Sequence, residues 1–233
     1  MVLRSQLEGY LNQLLAVAEC QDYAPNGLQV EGRSEIRRLV TGVTASAALL
    51  EAAQEWGADA VLVHHGYFWK GEESRIVGIK ARRLRLLFAA EMNLFAFHLP
   101  LDIHPLMGNN AGLARLLDLE IEARHSAHGV PGLLWSGRLV EPIAADSFAR
   151  RIAEALARVP LHLSAGPPQI SRIAWCSGGA EKLIEQAAGL GVDAFISGEL
   201  SESTVHIARE SGLHYFAAGH HATERSGVQA LGA

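Results

Sequence analysis

The chain has 233 residues, 49% of them hydrophobic and 19% charged, with 23 glycines and a formal net charge of -5. That length and balance describe a folded α/β-sized protein, with one sizeable core or two smaller ones, and exclude a disordered or fibrous chain. The acidic balance gives no general pull toward nucleic acid or an anionic membrane, the distant Cys20 and Cys176 build neither a disulfide framework nor a zinc ribbon, and no apolar run reaches the roughly 18 residues of a membrane span.

In chain order, Leu7, Leu11, Leu14, Leu15 and Ala18 recur at helical spacing and predict an amphipathic helix near residues 4 to 20, stopping before Asp22 and Pro25. Asn26-Gly27 reads as a turn. A β-branched run over 36–43, a helix over 45–56 and the apolar run 60–63 ending at His64-His65 form a strand, helix, strand unit. A helix over 75–92 then leads to a strand at 94–97 and to His98 and Asp102. Lys80, Arg82, Arg83 and Arg85 fall on that helix and read as its solvated face.

Between these elements and the next such unit, Asn109 is placed to cap a short helix over 111–117. A strand over 133–140 and an amphipathic helix over 146–159 follow, the helix with Phe148, Ile152, Ala155 and Leu156 on one face. After Pro167-Pro168 the first pattern returns as a strand at 170–176, a helix at 180–190, a strand at 194–196, a helix at 202–211 and a strand at 213–216. The copies align without a gap through Ile36/Ile170, Arg38/Arg172, Glu51/Glu185, Ala53/Ala187, Gly57/Gly191, Asp59/Asp193 and Ala60/Ala194. The expected fold is therefore α/β with two related halves, which the family resemblance carried by the site motifs makes two pseudo-symmetric α/β domains with a metal site between them. The expected boundaries are 1–124 for the first domain and 125–219 for the second, with 220–233 returning to the first.

The residues that carry chemistry gather where the strands end, the edge at which parallel α/β sheets bind ligands. His64-His65 precedes Gly66. His98 lies four residues before Asp102, and His220 lies four before Glu224. Histidines with carboxylates at such ends are ligands for transition metals, and the candidate metal residues are His64, His65, Asp102, His220 and Glu224. His104, His125, His128, His162, His206 and His214 have no comparable partners and read as structural or surface residues. Glu199 aligns with His65 in the repeat and is placed at the rim, as is Glu202. No dinucleotide fingerprint, Walker loop or nucleophile elbow is found.

Asn26-Gly27-Leu28-Gln29-Val30, His64-His65-Gly66 with Phe68-Trp69, His98-Leu99-Pro100-Leu101-Asp102 and Gly219-His220-His221-Ala222-Thr223-Glu224-Arg225 together resemble the GTP cyclohydrolase 1 type 2 homolog family, the NIF-three-like proteins, from about residue 4 to the end. The resemblance implies two divalent metal cations per subunit, with His64 and Asp102 on one, His65 and His220 on the other, and Glu224 bridging. His98 is implied as a near-site residue. The resemblance also implies a toroidal homohexamer, hence self-association as the partner. One departure is that nine residues follow Glu224 where the family usually continues into a further helix and strand.

Mixed His and carboxylate ligands suit zinc, iron, manganese or cobalt alike. Two readings of function follow. One is a metal-dependent hydrolase of a nucleotide or related small molecule; the other is a non-enzymatic metal-binding or regulatory ring. The opening Met-Val-Leu-Arg-Ser-Gln-Leu-Glu lacks the pattern of a signal peptide, so the expected location is cytoplasmic.

Overall fold

The computed structural model describes residues 1–233 and is a mixed α/β protein. The chain divides into two compact units, Met1–Leu101 with Gly227–Ala233, and Asp102–Ser226. These limits differ from a first boundary at 124, because the strand β7 (Leu119–Ala127) pairs along its length with β8 (Val130–Ala144) and so goes with the second sheet.

In the first unit a short β1 (Val2–Leu3) pairs with β3 (Glu35–Ile36), and α1 spans Arg4–Leu14. The main sheet has the order β2-β6-β5-β4, from β2 (Gly27–Val30), β4 (Leu39–Thr44), β5 (Ala60–His65) and β6 (Asn93–Ala96). β4, β5 and β6 run parallel and β2 antiparallel. Parallel strands need crossovers, supplied by α2 (Ala47–Trp56) and α3 (Gly78–Ala89).

The sheet is covered on both faces, which is why β5 reads as an unbroken apolar run. Val61, Val63, Leu94 and Ala96 pack with Leu50, Ala53, Leu84 and Leu87 of the crossover helices. Ala60, Leu62, Phe95 and Phe97 pack on the other side with Leu11, Leu15 and Val228. Val228 lies on α10 (Arg225–Gly232), so the residues after Glu224 form a helix whose last turns complete this core.

The second unit begins with α4 (Leu99–Ile103), which straddles the division, and α5 (Asn109–Leu116). Asn109 is not the cap: Gly108 precedes the helix without a side-chain cap bond, and the Asn109 amide instead donates to Asp102 Oδ1 at 2.9 Å. The sheet order is β7-β8-β10-β11-β12-β9. Besides β7 and β8 it contains β9 (Leu161–Leu163), β10 (Gln169–Trp175), β11 (Ala194–Ser197) and β12 (His214–Ala217). α6 (Ala145–Leu156), α7 (Ile184–Gly189) and α8 (Glu202–Glu210) accompany them. Phe148, Ile152 and Leu156 of α6 enter a core with Ile173, Trp175, Ile196 and Phe216.

The hairpin β7–β8 turns at His128 and Gly129, both left-handed at φ 49° and 79°, as a tight hairpin turn requires.

The repeat is deeper than the aligned residues indicate. β4 on β5 pairs Leu39 with Ala60, and β10 on β11 pairs Ile173 with Ala194, the same register in both copies. β2 pairs Gly27 with Ala96, and β9 pairs Leu161 with Ala217, so each copy has an antiparallel strand at the same edge.

Asp59 accepts from the backbone N–H groups of Arg37 and Arg38, and Asp193 from those of Ser171 and Arg172. The aligned Asp pair therefore seals the start of the first parallel strand in both copies. Gly57 and Gly191, at φ 75° and 66°, take the left-handed step out of the preceding helix, the conformation that favours glycine there.

Candidate metal centre

In the first unit the last residues of β5 are His64 and His65, with ring centroids 4.6 Å apart. Strand neighbours ordinarily point to opposite faces. Here β5 is at its end: Thr44 opposite His65 is the last register pair, and the chain turns at Gly66, where a Cβ would overlap the Gln29 amide and Ala96. His98 follows β6, and one nitrogen from each of His64, His65 and His98 lies within 4.8 Å of the others, so the group could hold a metal ion.

The Nδ1 atoms of these rings are engaged. His64 Nδ1 donates to the Phe97 carbonyl at 2.8 Å, His65 Nδ1 lies 3.3 Å from Thr44 Oγ1, and His98 Nδ1 donates to Asp22 at 2.9 Å. Burial works to raise the Asp22 carboxyl. The hydrogen bond and charge of His98, with bonds from Asn26 and the Leu99 N–H, outweigh it and hold Asp22 at about 2.

In the second unit Asp102 is buried, and its Oδ1 accepts from both Asn109 and Ser177, the latter at 2.8 Å. Glu224, 2% exposed, follows α9 (His220–Thr223), and one of its oxygens lies within 4.8 Å of an Asp102 oxygen. Glu224 Oε1 is 3.1 Å from His220 Nε2. On the other side of that ring, Nδ1 donates to Glu199 Oε1 at 2.6 Å.

The bond to Glu224, against burial and with the charges of Glu224 and Glu199, lifts His220 to about 9. A place that stabilises an imidazolium between carboxylates has the field to stabilise a cation. Gly178, at φ 68°, makes room: a Cβ there would overlap the Glu224 carboxylate.

His64 and His65 thus come together within the first unit, and Asp102, His220 and Glu224 within the second. Asp22, Ser177, Asn109 and Glu199 are the residues that sequence reasoning missed or left at the rim. For Glu199 the signal was present, since it stands where the repeat has His65. The matching of His98-Asp102 to His220-Glu224 is shifted by one residue. Strand register sets Ala96 against Ala217, which brings His98 level with Gly219 and α4 level with α9. The remaining histidines include one with a clear structural place. His214 donates from Nε2 to the Pro167 carbonyl, as Asn93 donates to Arg33 in the first copy.

No helix is long and apolar enough to cross a membrane. A protein of Pseudomonas aeruginosa named GTP cyclohydrolase 1 type 2 homolog is 56% identical over 221 residues, covering 95% of this chain and 87% of that protein. The solved structure of protein ybgI, described as of unknown function, superposes with a TM-score of 0.95 at 51% identity, covering 99% of this chain and 92% of that one. A structure from Thermus thermophilus does so with a TM-score of 0.88 at 35% identity, over 99% and 92%. The family model described as Duf34/NIF3 (NGG1p interacting factor 3) matches residues 2–233, and the chain belongs to that family.

Proposed function

We propose that the protein binds two divalent cations through His64, His65, Asp102, His220 and Glu224 and uses them to hydrolyse a nucleotide or related small molecule. In this reading His64 and Asp102 would hold one ion, His65 and His220 the other, and Glu224 would be a ligand common to both. The observation that carries it is the anchoring of the imidazoles by Nδ1: His64 on a carbonyl, His65 beside a hydroxyl and His220 on a carboxylate. Such outer partners fix the tautomer and aim Nε2, the arrangement that metal-ligating histidines almost always have. Two buried carboxylates, Asp102 and Glu224, complement the charge of a dication pair.

Such a pair, when bound, supplies Lewis acidity and a water activated near neutral pH. The chain's own contribution is to fix the donors. Asn109 and Ser177 orient the Asp102 carboxylate, Glu199 orients His220, and Gly178 leaves space for Glu224. The relatives' name points to GTP as one substrate to try, alongside other nucleotides and cyclic phosphorylated compounds. The same reading takes the protein to be a homohexameric ring in the cytoplasm, and light scattering on the purified protein tests the ring.

The deciding experiment is a hydrolysis panel on protein reconstituted with zinc, manganese, iron or cobalt, against chelator-treated controls. Turnover that needs metal and is lost in Glu224→Gln supports the proposal. Full occupancy with no turnover across the panel overturns the hydrolytic part and leaves a metal-holding ring.

A further inference from the structure

The last turn of α6 is fastened to the segment that carries His220 and Glu224. Ala157 ends the helix in the left-handed conformation at φ 49°, uncommon for a residue with a Cβ, and the Arg158 N–H closes back on the Ala153 carbonyl at 3.0 Å. Arg225, the residue after Glu224, donates from its guanidinium to the Leu156 carbonyl. Two residues beyond Leu156, the Arg158 side chain lies across Gly219, the residue before His220: a Cβ there would overlap Nε and Cδ of Arg158. One helix terminus thus grips α9 at both ends.

Gly219 stands level with His98 of the first copy. In that copy the segment before β2 reaches the strand end with an acid, Asp22 on His98. In the second copy the segment before β9 reaches it with a base, Arg158 over a residue that has no side chain.

Arg158 is exposed, and its guanidinium makes no hydrogen bond or ion pair within the chain. The nearby carboxylates are engaged with His220 instead, Glu199 at its Nδ1 and Glu224 at its Nε2. With Arg225 engaged on a carbonyl, Arg158 is a cation available beside α9. Packing alone would use only its aliphatic stem. A planar guanidinium with its donors free matches two oxygens of a phosphate group. At the rim it also draws an anion toward a centre whose positive charge Glu199 and Glu224 partly offset.

We propose that Arg158 binds the phosphate group of the substrate at the edge of the metal centre, so that phosphorylated compounds are admitted there in preference to their uncharged parents. The inference rests on the reading of the centre as a metal-dependent hydrolase and narrows its substrate class.

The test uses the full chain loaded with zinc and two variants. Arg158→Met keeps the stem over Gly219 and removes the charge, whereas Arg158→Lys keeps the charge and loses the planar fork. Inorganic phosphate, GMP and guanosine are titrated calorimetrically against each, with zinc content measured alongside. The wild type is expected to bind phosphate, and to bind GMP more tightly than guanosine. Arg158→Met is expected to keep its zinc, weaken both anions by about 10–100-fold and leave guanosine unchanged, with Arg158→Lys in between.

A zinc-loaded wild type that binds phosphate and GMP no better than Arg158→Met overturns the inference and leaves the metal reading standing. Equal losses for GMP and guanosine, or loss of zinc in Arg158→Met, also overturn it and assign Arg158 a structural role. A wild type that holds no zinc overturns the metal reading, and the inference falls with it. Circular dichroism checks folding, and Arg158→Gln replaces Arg158→Met if that variant does not fold.

Discussion

The two copies of the strand, helix, strand unit share register, the Asp seal and the glycine step, yet they are equipped differently at their strand ends. The first copy ends β5 in two imidazoles and follows β6 with a third, whereas the second has Gly198-Glu199 and then His220 and Glu224. A fold can therefore be repeated closely while the donors at its strand ends are exchanged. The first copy presents two imidazoles at the end of β5, whereas the second presents Glu199 and Glu224 on either side of the His220 ring.

If the copies are equivalent in their cores, the aligned residues Leu62 and Ile196, both fully buried, should be equally costly to truncate. Leu62→Ala and Ile196→Ala are each expected to lose about 2–5 kcal/mol in urea unfolding. A loss confined to one of them would break the equivalence.

The Asp seals sharpen the comparison at a smaller scale. Asp59 is buried and Asp193 half-buried. Asp59→Ala, which leaves two N–H groups unanswered, is expected to cost about 2–4 kcal/mol and Asp193→Ala about half of that. Burial pushes the Asp59 carboxyl up, but the N–H groups of Arg37 and Arg38 and the Arg33 guanidinium bring it below the ordinary carboxylate range. Its folded pKa lies below an unfolded value of about 3.9, so its contribution is complete above that value and is lost as pH falls through the folded pKa. Asp59→Asn should therefore flatten the acid limb of the stability profile below about pH 4. An unchanged limb would contradict the assignment.

The mildest expected effects lie in the outer partners of the donors. Glu199→Gln should weaken metal binding by about 10–100-fold. Thr44→Ala, which removes a longer and neutral contact to His65, should weaken it by no more than several-fold. The reverse order would mean that the carboxylate does not orient His220.

Much of this was legible in the sequence because its signals are local. Gly57 and Gly191, the runs at β5 and β11, and the tandem His64-His65 each announce themselves within a few residues. The hairpin β7–β8 was legible only in part. Polar residues alternate along β7, and His128-Gly129 makes a turn without the usual Asn-Gly pair. β9, at three residues, is too short to show a period. The outer partners were hidden for a different reason. Asp22 reaches His98 across 76 positions and Ser177 reaches Asp102 across 75, so nothing adjacent in the chain marks either pair. The shift that sets His98 level with Gly219 could be read only from strand register.

The central claim is that His64, His65, Asp102, His220 and Glu224 are ligands of two bound divalent cations. Elemental analysis of protein purified without chelator, for wild type and Glu224→Ala, tests it most directly. The account predicts two ions per chain in the wild type and a clear loss in the variant. A folded, reconstituted wild type that binds no metal would contradict it.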